Sequence, residues 1–188
     1  MRYLVVLFII ITSPANADPI CDDLWLSRNM IFAQHGYCFK SSLGQALFSD
    51  HQCVPDGIKL SQEASALIEQ IKVREVEENC AGKVDTSRQT LDVPALKSRM
   101  KIEVQPILTP YESSCVGYRR LDDPELFTAP RLNADVTGTI GPGDTIDYMH
   151  QAIGDWEFVT VYKPKLPTIV GWVHRLRLDE NSCIIAAG

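Results

Sequence analysis

Four aromatic side chains in the last third of the chain, Tyr148, Trp156, Tyr162 and Trp172, are the residues best suited to hold a ligand. Flat π faces stack on sugars and peptide groups. Trp156 follows a Gly-Asp turn, and Trp172 stands in a Gly-Trp-Val run expected at the centre of a sheet. Each can fill a core or line a groove, and the sequence leaves that choice open. No catalytic signature accompanies them: there is no Gly-rich phosphate loop, no G-x-S-x-G and no H-E-x-x-H. The histidines, His35, His51, His150 and His174, are dispersed and lack the i, i+4 partner of a helical metal site. The expected chemistry is recognition, with no catalytic residues, metal or cofactor.

A second set of polar residues lies on a helix near the start. At helical period, Leu24, Arg28, Ile31 and His35 share a stripe, with Trp25, Asn29 and Phe32 beside it. Asp22 and Asp23 stand where carboxylates cap free N–H groups. Gly36 ends the helix in the left-handed position, and apolar Tyr37 supplies the contact that accompanies such a cap. A histidine in the last turn satisfies free carbonyls, so His35 is expected to be structural. A later helix over about residues 60–79 carries Leu60, Ala64, Leu67, Ile68 and Ile71 on a stripe that runs into Glu75. A guanidinium in an apolar stripe wants a planar carboxylate, so Arg28 is expected to be buried against Glu75.

The string Ser27-Arg28-Asn29-Met30-Ile31-Phe32-Ala33-Gln34-His35-Gly36-Tyr37 resembles the signature of the YARHG domain, a bacterial module presumed to be extracellular. Phe32 and Gln34 replace that pattern's tyrosine and second arginine, and the family's Trp-Tyr pair is missing near Cys53. The resemblance implies a short second helix over residues 43–48 and a long third one. It carries no established activity.

From Cys115 onwards the pattern changes to period two. Runs at 145–149, 156–162 and 169–174 read as strands separated by Gly, Pro and Asp clusters. Leu126-Phe127-Thr128-Ala129-Pro130, Gly138 to Gly143, Gly154-Asp155-Trp156 and Gly171-Trp172-Val173 follow in the order of a bacterial SH3-like domain, which this stretch resembles. That likeness implies a small closed β-barrel that reads cell-envelope ligands, often peptidoglycan peptides. The two modules in tandem are similar to small exported alphaproteobacterial proteins. The expected fold is therefore α+β: a three-helix module over residues 18–82, a connection with a short helix over 83–112, and an SH3-like barrel over 113–188.

Residues 1–17 have the form of a signal peptide. Arg2 precedes an apolar run over residues 4–11 that is too short to span a bilayer, and Ala15-Asn16-Ala17 is an A-x-A cleavage site. Its removal leaves 17 Lys and Arg against 24 Asp and Glu. No basic run exceeds the Arg119-Arg120 pair, which argues against nucleic acid and against insertion into a membrane. Six cysteines remain in the exported part, an even number that suits a disulfide framework in an oxidising compartment. Several pairings are formally possible; placement at element ends favours Cys21–Cys80, Cys38–Cys53 and Cys115–Cys183. The reading that results is a non-catalytic periplasmic or secreted binding protein, with peptidoglycan or an envelope protein as partner. The alternative is a small secreted inhibitor of a cell-wall hydrolase.

Overall fold

The computed structural model describes residues 18–179 and 181–187, so the expected leader lies outside the described residues. Helix α1 (Pro19–Gln34) opens with proline in its first turn and with Asp18 as its cap, the carboxylate accepting from the Cys21 N–H at 3.3 Å. Asp22 and Asp23, expected as the cap, instead lie inside the helix and are buried. The helix ends at Gly36, whose φ of 84° needs a residue without Cβ. Its N–H donates to Ala33 O at 2.9 Å, and that of Tyr37 to Phe32 O at 3.0 Å. A Cβ at Gly36 would also stand 2.7 Å from Val54 Cγ2.

Helix α2 (Ser42–Phe48) and helix α3 (Gln62–Glu77) begin at Ser41 and Ser61, whose side chains accept from Gly44 N and Ala64 N. Along α3 only Ile68 and Ile71 are fully buried, both against α1. A four-residue helix, α4 (Leu96–Arg99), follows Pro94.

Seven strands form one antiparallel sheet: β1 (Leu108–Val116), β2 (Glu125–Phe127), β3 (Val136–Thr139), β4 (Thr145–His150), β5 (Trp156–Tyr162), β6 (Ile169–His174) and β7 (Ile185–Ala187). Their order is β3-β2-β6-β5-β4-β1-β7. The closed barrel expected here is not what forms. The final strand returns to pair with β1, Cys115 facing Ala186, while β3 pairs only with β2. With no ladder between β3 and β7 among the described strands, the sheet is open at both edges. It also starts at Leu108, inside the stretch expected as a connection.

The segment 83–112 supplies packing on both sides. Leu91 and Val93 join a core with Trp25, Leu26, Met30 and Phe48, and Ile102 joins Phe127, Phe158 and Trp172. Ile107 and Leu108 share a core with Leu24, Ile31, Ile68 and Ile71. Helices and sheet therefore bury apolar surface against each other. Disulfides link Cys21 to Cys80, Cys38 to Cys53 and Cys115 to Cys183, and no cysteine is free among the described residues.

Candidate functional site

The aromatic set does not make a groove. Trp172 is fully buried, its indole N–H donating to Val104 O at 2.9 Å and its ring lying edge-on to Phe158. Trp156 is 9% exposed and packs edge-on against Phe127. Strand register explains the difference from a stacking platform. Tyr148 pairs with Val159, whereas Trp172 pairs with Phe158. Neighbouring residues of a strand point to opposite faces, so Tyr148 and the two tryptophans serve different cores. Burial raises the Tyr148 phenol pKa, and Tyr162, 38% exposed, stands on the surface by the sheet.

The helical motif residues are placed by α1 and α3. Asn29 Nδ2 donates to Trp25 O at 2.7 Å, and His35 Nδ1–H donates to Ile31 O at 2.7 Å. Gln34 donates to the carbonyls of Ile102 and Glu103, tying the end of α1 to the segment beneath the sheet. Tyr37 is exposed and lies edge-on to Phe39. Arg28 Nε reaches both oxygens of Glu75, at 3.0 and 3.1 Å.

That pair is less buried than the sequence suggests, the side chains being 24% and 18% exposed. The reason is a groove of about 830 Å³ between α1, α3 and the loop after Cys80, whose walls include Trp25, Arg28, Glu75, Val76, Val84 and Thr86. Partial solvation softens the loss of a partner. Arg28→Met should cost about 1–2 kcal/mol in urea unfolding, less than a fully buried pair would. Arg28→Met with Glu75→Leu should recover most of it, and a loss confined to the double variant would exclude this pairing energy.

A second site lies between α1 and the sheet. Asp23 Oδ1 stands 3.6 Å from Arg99 Nη2 and 3.3 Å from His150 Nε2. Arg99 also donates to Ser27 Oγ at 2.6 Å and to Gln105 Oε1 at 3.1 Å, with its guanidinium carbon 4.9 Å from the centre of the Phe158 ring. Burial pushes the Asp23 carboxyl up, but Arg99 and then His150 hold it down, at about 2. Next to it, Asp22 accepts from Arg88 at 2.5 Å and from the Asp92 N–H at 3.0 Å. Above this polar floor a cleft of about 310 Å³ is walled by Pro19, Ile20, Leu108, Met149, Phe158 and Val170. Asp18, Glu112 and Thr160 also line it. These residues come from segments far apart in the chain. The available sequence signal was the i, i+4 spacing of Asp23 and Ser27 on α1.

Helices, bridges and sheet together define a disulfide-stapled α+β protein with an open groove in its helical part. Its helical part is a YARHG domain, whose family model matches residues 10–76. The chain belongs to the family described as a domain of unknown function, DUF4453, whose model covers residues 79–188, more than half of its length. Comparison with curated proteins and with solved structures gives no match. No group of three or more His, Cys, Asp or Glu residues is arranged to hold a metal among those described.

Proposed function

We propose that the chain is a non-catalytic exported binding protein of the cell envelope, and that peptidoglycan or an envelope protein occupies the groove beside Arg28. The compartment is supported by the leader-like start, by the three bridges and by the YARHG match. No described helix is long and apolar enough to cross a membrane. The Gly-Asp-Trp and Gly-Trp-Val runs and the β4–β5–β6 meander support a distant SH3-like origin for the sheet, here left open.

One observation carries the choice of site. Arg28 meets Glu75 through Nε alone, and its Nη1 and Nη2 have no partner among the described residues. A guanidinium edge left open in a concave wall, beside Trp25 and Val76, suits a carboxylate on a peptide or a glycan-linked peptide. Groove size also fits such a ligand. The buried Trp156 and Trp172 no longer qualify as contacts.

The test is co-sedimentation with purified sacculi. Wild type should pellet with the wall. Arg28→Gln should weaken the association about tenfold, the worth of a charge-assisted hydrogen bond, and Thr86→Trp should block it by filling the groove. A protein that stays in the supernatant but suppresses lysis by an added wall hydrolase would establish the inhibitor reading instead. Wall binding untouched by both substitutions would move the contact elsewhere.

A further inference from the structure

The cleft between α1 and the sheet is separate from the Arg28 groove, and nothing proposed above depends on it. We infer that it is a second ligand site, one that takes a primary aliphatic amine. The argument begins with its walls. Pro19 and Ile20 from the first turn of α1 face Leu108, Met149, Phe158 and Val170 from four different strands. This is an apolar slot of about 310 Å³, at the lower end of volumes that hold small molecules. An aliphatic body would pack on these walls above a floor where Asp23 is held by Arg99 and His150.

Charge then selects the head group. The basic groups on the floor are already engaged, Arg99 by Asp23, Ser27, Gln105 and the Phe158 ring, and His150 by Asp23. Asp23 is balanced in turn by that guanidinium. At the rim, Asp18 shares its charge with Lys83 at 2.9 Å. Glu112 lines the same cleft, is exposed, and has no ion-pair partner among the described residues. The unbalanced charge of the cleft is therefore negative and sits at its mouth. A carboxylate guest would meet Glu112 as a like charge, whereas an ammonium would neutralise it beside low-dielectric walls, where Coulomb attraction is stronger than in water.

The probes are n-hexylamine, hexan-1-ol and hexanoate, added to the whole protein at pH 8 while the methyl resonance of Met149 is followed by NMR. Hexylamine should shift that resonance saturably and bind about threefold tighter than hexanol, with hexanoate weakest. Glu112→Lys changes an exposed rim residue and leaves the floor intact, so it should fold normally and invert the order of hexylamine and hexanoate. Glu112→Gln should bring hexylamine down to the affinity of hexanol. The inference is overturned if Met149 does not respond to hexylamine, if hexanoate binds wild type as tightly, or if Glu112→Lys leaves the order unchanged.

Discussion

Asp23→Ala should lose about 3–5 kcal/mol of stability, the largest effect of any single polar substitution in this chain. Asp23 and Arg99 are buried with Ser27 and Gln105 at the floor of the cleft. Taking the carboxylate away leaves a buried guanidinium with only neutral acceptors, and Arg99 Nε already has none. Asp23→Leu combined with Arg99→Met removes both charges and should recover much of the loss.

The same carboxyl should set part of the acid limit. Its folded pKa of about 2 lies below its ordinary value of 3.8, so the folded protein binds that proton less readily than the unfolded chain. The stabilisation is therefore complete above about pH 4 and disappears as pH falls towards 2, amounting to roughly 2 kcal/mol. Urea midpoints measured at steps between pH 5 and pH 2 check this. In Asp23→Asn that part of the acid slope should be missing, and a slope identical to wild type would show that Asp23 is not held down by its partners.

The second large effect is expected from Cys21→Ala with Cys80→Ala, at about 2–5 kcal/mol. The bridge closes a loop with a sequence separation of 59 residues, and both sulfurs are buried. Its importance follows from the weakness of the alternative. Helix α3 buries only Ile68 and Ile71 fully, while Val73 and Val76 are exposed. Without the link between the start of α1 and Cys80, just beyond the end of α3, little apolar area holds α3 in place. Hydrogen exchange should show α3 losing protection while β4, β5 and β6 keep theirs. Because Cys80 lines the Arg28 groove, the variant should also lose wall binding. Uniform loss of protection in helices and sheet would instead mean that the bridge stabilises the whole molecule through its unfolded state.

The parts of this fold that were legible in the sequence are those written in short-range chemistry. Gly36 after an apolar stripe and cysteines at the ends of elements each state a local requirement. The strands read at 145–149, 156–162 and 169–174 announced themselves by alternation. What was hidden depends on which distant residues meet. Whether a sheet closes is decided by the partner of its last strand, and nothing local to Ile185 says that it returns to Val116. The side of the sheet taken by Trp172 and by Tyr148 follows from register, and one step of register inverts the answer. Asp23 read as a cap because an acid in a first turn usually is one; its partners, Arg99 and His150, come from elements with no visible relation to it.

The Cys21–Cys80 bridge has one cysteine in each of the two family segments, 10–76 and 79–188. The long exposed turn over residues 52–59 lies inside the ring that it closes. A protease that cuts the backbone in that turn makes two polypeptides, yet no mass is lost and neither piece can diffuse away. The nicked molecule would migrate as intact on a non-reducing gel and split only after thiol treatment. Reduction of the bridge, and not the first backbone cut, is then the step that separates the pieces.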